Sequence, residues 1–227
     1  MPEPVLPAPR WPLVAFLAFS AANIVSDAVG SYWATTATKP FIVATLILWV
    51  LLSYAGRPPR LLLGGLVLAL LGDVLLSIPG TAAFLAGMAA FLGMQLCYIA
   101  GFVRLGAARA LRERPAAVAG WAVLWLALNL LLGPMLGALR LPIAVYSVAL
   151  FSMAALAVAT GSRRIGAGGV LFLVSDLLIG VGAAGLDLPL RGPIVMITYC
   201  AAQLLIVTGW RLHEGEPEAS PAARSAV

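Results

Sequence analysis

Charge is what this sequence has least of. Only 10% of its 227 residues are charged, too few to cover the surface of a water-soluble domain of that length. A chain solvated by lipid has no such need, because its surroundings are as apolar as its own side chains. Histidine is reduced to His213 and cysteine to Cys97 and Cys200, both inside apolar stretches. No CxxC pair and no Cys/His cluster occurs, so neither a disulfide framework nor a zinc site is indicated; the two thiols read as small buried hydrophobes. No metal or other cofactor is called for. Also missing is any Lys/Arg run interleaved with aromatics, so the net charge of +5 and the pI near 9.8 do not point to nucleic acid.

What is present is apolar. Hydrophobic residues make up 62% of the chain and the mean hydropathy is +1.03. A spanning helix needs about 20 mostly apolar residues, and eight stretches qualify: Trp11–Gly30, Pro40–Tyr54, Leu61–Ile78, Ala82–Val103, Ala116–Leu132, Leu141–Thr160, Ile165–Ala184 and Pro193–Leu212. Breakers separate them, among them Lys39-Pro40, Arg57-Pro58-Pro59, Pro79-Gly80, Gly133-Pro134 and Gly161. Within the first stretch the run Leu13 to Ala22 lacks a convincing cleavage site and is followed by Asn23 and Asp27, so it reads as a retained helix and not as a signal peptide. The expected fold is an all-α polytopic bundle of eight transmembrane helices, with residues 1–212 forming one domain. The Glu-, Ala-, Ser- and Pro-rich stretch 213–227 reads as a disordered tail. Arg10, Arg57, Arg60, Arg104, Arg109, Arg112, Arg114, Arg163, Arg164, Arg211 and Arg224 fall on one side; Lys39, Arg140 and Arg191 fall on the other. The heavier side should be cytoplasmic, which puts both termini and the tail there and predicts a multi-pass protein of the bacterial inner membrane.

Of the nine acidic residues, only Asp73 and Asp176 sit deep inside apolar spans, in LVLALLGDVLLSI and VLFLVSDLLIGV. A carboxylate at the centre of a bilayer costs about 2.5–3.5 kcal/mol on insertion scales, so such a residue faces the bundle interior or a wet cavity and is a functional candidate by default. Both helices run the same way under this topology. Asp73 stands about twelve residues from the start of its helix and Asp176 about eleven, which places both roughly 17–18 Å from the cytoplasmic end. The two carboxyls are therefore expected at one level, facing a common cavity. Gly64-Gly65 and Gly168-Gly169 precede them, a hint of a parallel four-helix repeat, although small residues pack transmembrane helices anyway. Other polar groups fall at compatible depths. Tyr146 lies near the outer end of the sixth span; Tyr199 and Gln203 form an i, i+4 pair on the eighth; Gln95 and Tyr98 lie deeper on the fourth; Lys39 begins the second. Each reads either as cavity lining or as an interhelical hydrogen bond.

Thr38-Lys39-Pro40, LLGDVLL (Leu70 to Leu76), FLAGMAAF (Phe84 to Phe91) with Gln95 and Tyr98, LPIAVYS (Leu141 to Ser147), LFLVSDLLIG (Leu171 to Gly180) and TYCAAQLLIVTG (Thr198 to Gly209) together resemble the YhhN family. The resemblance covers about Lys39 to Gly209. It implies hydrolysis of the vinyl ether bond of lysoplasmalogens, giving a fatty aldehyde and a glycerophospho-alcohol such as glycerophosphocholine or glycerophosphoethanolamine. A lysophospholipid and the surrounding membrane lipids are then the expected partners. Family members often carry His where this chain has Gln95, so no acid–base role of such a histidine transfers here.

Vinyl ethers hydrolyse by acid catalysis. That chemistry needs one carboxylic acid and one carboxylate, and two carboxyls sharing a low-dielectric site supply such a pair. Asp73 and Asp176 are the expected catalytic residues, with acid and base unassigned. Lys39, Gln95, Tyr98, Tyr146, Tyr199 and Gln203 are expected to bind substrate or water, Lys39 by meeting the lipid phosphate, with Arg191 as its alternative. A proton-coupled transporter would use the same aspartates and would show helices broken at matching positions in both halves; the prolines here are expected at helix ends.

Overall fold

A computed structural model of the chain describes residues 9–54 and 56–215. The described residues are helical: α1 (Trp11–Ala28), α2 (Tyr32–Ser53), α3 (Arg60–Leu76), α4 (Thr81–Arg104), α5 (Ala107–Arg112), α6 (Pro115–Leu132), α7 (Arg140–Ala159), α8 (Arg163–Ala183) and α9 (Arg191–Gly215), with two short 3₁₀ turns between α6 and α7. Seven of them are long and apolar enough to cross a membrane; α3, equally apolar in sequence, has 17 residues. Large apolar side chains such as Trp33, Val123 and Leu131 stand mostly exposed on the outside of the bundle, the reverse of a soluble protein and the expected state of a lipid-facing surface. The protein is an integral membrane protein.

Helix starts follow local chemistry. Pro12 and Pro115 occupy the first turns of α1 and α6, where a missing N–H costs nothing. Ser162 caps α8 by accepting from the Ile165 N–H at 3.4 Å. Gly106 and Gly161 take positive φ just beyond α4 and α7 and turn the chain.

The second helix corrects the sequence reading. It begins at Tyr32, not Pro40, and Pro40 lies inside it, contrary to the expectation that prolines sit at helix ends. Pro40 has no N–H for the carbonyl of Thr36. In place of a break, side chains brace the segment: Asn23 on α1 donates to the Thr35 carbonyl at 2.7 Å and to Thr38 Oγ1 at 2.9 Å, and Thr38 donates back to Ala34 at 2.7 Å. Neighbouring polar groups commonly rescue a helix at such a proline within a membrane. The short α5 was also unforeseen; it carries an exposed Arg109–Glu113 pair at 3.2 Å. At the far end, α9 runs through His213 to Gly215, into the stretch expected to be disordered. Residues 216–227 and 1–8 lie outside the described residues.

Consecutive helices pack as pairs: α1 on α2, α3 on α4, and α7 and α9 on either side of α8. The ring closes through α4 on α7 and α1 on α9. Within lipid, close backbone approach rather than hydrophobic burial holds such pairs. Gly65 and Gly168 show this at equivalent places, each eight residues before the aspartate of its helix. A Cβ on Gly65 would lie 2.4 Å from the Tyr98 ring, and one on Gly168 would lie 2.9 Å from the Ala202 carbonyl. Each glycine thus lets the next helix, α4 or α9, close onto the helix that bears the carboxyl.

Candidate functional site

Asp73 is thirteen residues beyond Arg60 and Asp176 thirteen beyond Arg163, which sets both about 20 Å along their helices. The level placement expected from sequence therefore holds along the helices. The surroundings of the two carboxyls differ.

Asp73 is buried. Its Oδ1 is 3.7 Å from Lys39 Nζ on α2, and its Oδ2 accepts a 2.6 Å hydrogen bond from the Tyr199 hydroxyl on α9. Behind Tyr199 runs a chain of donors. Gln203 Nε2 donates to the Tyr199 oxygen at 3.5 Å, and Tyr98 on α4 donates to Gln203 Oε1 at 2.8 Å. Every donor in the series points toward the carboxyl: Tyr98 to Gln203, Gln203 to Tyr199, Tyr199 to Asp73. Such a series polarises in one direction and supports negative charge at its end. A buried charge is tolerated only when it is paired and hydrogen-bonded, and Asp73 is both. Lys39 therefore stands about 10 Å inside α2 from Tyr32, engaged with Asp73, and does not begin a helix at the membrane surface.

Asp176 is partly accessible, as is Tyr146. The Tyr146 hydroxyl on α7 donates to Asp176 Oδ2. The two side chains form part of the wall of two cavities. One, of about 50 Å³, is lined by Leu76, Met88, Phe91 and Ile179. The other, of about 60 Å³, is lined by Leu128, Asn129, Ser147 and Phe151. Either has room for a few water molecules. Gln95, fully buried on α4, lies against Tyr146, yet neither its Nε2 nor its Oε1 has a hydrogen-bonding partner among the described residues. A buried amide with both ends unmatched, against a tyrosine that lines both cavities, calls for a polar guest such as water.

An aromatic cluster joins the two halves. Phe91, Phe172 and Tyr199 pack edge to face with centroids 5.7–6.1 Å apart, a favoured arrangement. Phe91 thus both lines the Asp176 cavity and touches the phenol bonded to Asp73. Leu76, one turn beyond Asp73, also lines that cavity. The structure brings the expected residues into two adjoining groups, Lys39–Asp73–Tyr199–Gln203–Tyr98 and Gln95–Tyr146–Asp176. Phe91 and Phe172 had not been singled out; aromatic residues in an apolar run carry no signal of their own. Arg191 packs its guanidinium over Gly182 near the end of α8: a Cβ there would lie 2.1 Å from Nη1. Among the described residues, no group of three or more His, Cys, Asp or Glu is arranged to hold a metal ion.

The YhhN family model matches residues 34–210. The chain is 36% identical over 169 residues to lysoplasmalogenases of Mycobacterium bovis and Mycobacterium tuberculosis, with 72% of this chain aligned. It spans 65% of the length of those two relatives, just under two thirds. It is 32% identical over 195 residues to human lysoplasmalogenase TMEM86B, covering 81% of this chain and 77% of that protein. No solved structure matches the chain significantly.

Proposed function

The chain belongs to the YhhN family, and from that membership we propose that it is a membrane-embedded lysoplasmalogenase, hydrolysing the vinyl ether of a single-chain glycerophospholipid. The observation that carries the reading is the Tyr146–Asp176 pair in the wall of an apolar cavity that Leu76, one turn beyond the Lys39-paired Asp73, also lines.

Asp176 is the acid and Asp73 the carboxylate. Asp73 is held by an ammonium and a donor chain; among the described residues no Lys or Arg lies within ion-pair distance of Asp176. Asp176 gives its proton to the alkene carbon distal to the ether oxygen, and the electrons of the double bond form the new C–H bond. The carbon attached to oxygen becomes an oxocarbenium ion, stabilised by the negative charge of the two carboxyls. Water adds to that carbon and loses a proton back to the carboxylate pair. The hemiacetal then collapses: its C–O bond to glycerol breaks, the glycerol oxygen takes up a proton, and the hydroxyl becomes the aldehyde carbonyl. One vinyl ether and one water give one aldehyde and one alcohol. Glycosidases divide labour between two carboxyls around a similar cation.

Tyr146 orients the Asp176 carboxyl, and Gln95 offers its unmatched amide to the attacking water. With Lys39 engaged by Asp73, Arg191 is the cation that meets the lipid phosphate. It lies over Gly182, two residues beyond Gly180 in the cavity wall. The Arg-rich helix ends face the cytoplasm of a bacterial inner membrane.

A proton-coupled transporter is the second reading, favoured by Pro40 inside α2 next to Lys39. In α7, the counterpart of α2 in a four-helix repeat, Pro142 lies in the first turn, so the broken helix has no match in the second half. One assay separates the two readings. Purified protein in detergent, where no gradient exists, is given lysolipids with vinyl, alkyl and acyl linkages. Aldehyde release from the vinyl substrate alone is the expected result; no aldehyde from it would sink the hydrolase.

A further inference from the structure

Helix α6 is the odd member of the bundle. None of its residues is buried, whereas nine residues of α7 are. Between the two helices lie two cavities in series. The first, about 380 Å³, is walled by Trp121, Trp125, Phe151 and Ala155 and contains no charged side chain. The second is the 60 Å³ space that ends on Tyr146 and Asp176. Phe151 lines both. At their junction Ser147 Oγ accepts from Trp125 Nε1 at 2.9 Å and from Asn129 Nδ2 at 3.3 Å. These two hydrogen bonds lace α6 to α7 at one level.

We propose that the α6–α7 seam receives the hydrocarbon chain of the substrate, which enters sideways from the bilayer and lays its vinyl-ether end at Asp176; this rests on the hydrolase reading above. Depth supports it. Asp176 stands seven residues from the end of α8, about 10 Å below that surface. A vinyl ether sits just beneath its glycerophosphate, so a lipid with its head group at that surface presents the reactive carbons at this level. Its chain must then run toward the bilayer centre. The first cavity extends that way, along α7 from Phe151 to Leu156. The energetics of lipid also favour this seam as the door. Apolar contacts between helices exchange for contacts with lipid tails at little loss, so close packing and hydrogen bonds hold a membrane seam, and α6, with no buried residue, lacks the close packing. The hydrogen bonds are gathered on Ser147, next to Tyr146, and the rest of the contact is apolar and shallow.

The test fills the first cavity. Ala122 and Ser152 line it from α6 and α7; Leu126 is exposed on α6 and outside it. Ala122→Phe and Ser152→Phe are expected to lower kcat/KM for a long-chain vinyl-ether lysolipid relative to a short-chain one by at least about tenfold, whereas Leu126→Phe leaves the ratio unchanged. An unchanged ratio in both filled variants overturns the proposal. A second measurement does not need turnover. An uncleavable alkyl lysolipid with a diazirine in its chain is bound to the purified full chain and photolysed. Crosslinks to α6 and α7 support the seam, and crosslinks confined to other helices overturn it. If the wild type releases no aldehyde at all, the hydrolase reading fails, and the crosslinks still decide where a single chain lies.

Discussion

The Tyr199 hydroxyl on α9 reaches Asp73 on α3 with a 2.6 Å hydrogen bond across 126 positions of sequence. It is the last donor in a series that starts at Tyr98. Removing it leaves a buried carboxyl oxygen short of a partner, a loss of about 1–3 kcal/mol. Tyr199→Phe is therefore expected to lower the melting temperature and, if Asp73 is the proposed carboxylate, to lower kcat by about tenfold or more. Tyr98→Phe, two bonds further back, should cost less. Aldehyde release with melting temperatures for both variants checks the grading; equal effects would mean that the series does not act on Asp73.

In the proposed mechanism the two carboxyls carry the chemistry, so each is needed by itself. Asp73→Asn and Asp176→Asn keep the volume and remove the proton-transfer group. General acid–base catalysis contributes about 10²–10⁴-fold, and each variant is expected to lose at least that much aldehyde release while remaining folded by size-exclusion chromatography. Near wild-type turnover in either purified variant would rule out the paired mechanism.

Lys39 and Asp73 form a partly buried pair at 3.7 Å, and breaking one side of such a pair strands the other charge. Lys39→Met alone should destabilise the protein more than the double variant Lys39→Met with Asp73→Asn, which strands nothing. Residues in direct contact show coupling of about 0.5–3 kcal/mol. Thermal unfolding in detergent measures it, and strictly additive losses would show that the pair contributes no net interaction.

The bundle was legible in sequence because lipid imposes length and apolarity on each span, and Pro and Gly mark the gaps. Helix α2 was misplaced at its start because the rule that proline breaks helices is local, and Asn23, which braces the Thr35 carbonyl, belongs to α1. Helix α5 was missed because six residues show no periodicity. Asp73 and Asp176 were legible because a carboxyl in an apolar run is costly without a reason. Their surroundings were not. The hydrogen bonds of Tyr98 to Gln203 and of Tyr199 to Asp73 span 105 and 126 residues, and Lys39 was assigned to a phosphate because its depth depends on where α2 begins.

In the proposed reaction Arg191, whose guanidinium lies over Gly182 near the end of α8, meets the phosphate before and after the ether is cleaved. An interaction made equally in ground and transition states sets KM and leaves kcat alone. Arg191→Gln should raise KM for a phosphate-bearing lysolipid several-fold at unchanged kcat, with no change for an analogue lacking the phosphate. A fall in kcat on both substrates would give Arg191 a different role.

Gln95 separates stability from function most cleanly. Its side chain is fully buried, and both amide ends lack partners among the described residues. An unsatisfied buried polar group costs about 1–3 kcal/mol, so an apolar replacement of similar shape should leave the fold as stable or more so. Gln95→Leu is expected to hold or raise the melting temperature and yet lower kcat by about tenfold, because the amide proposed to orient water beside Tyr146 is gone. Gln95→His restores a hydrogen-bonding group and should recover most of the rate. It should also make the rate titrate with the imidazole, a pH dependence that the wild type cannot draw from this position. If Gln95→Leu kept full activity at higher stability, the amide would be an interhelical polar residue without a part in the reaction.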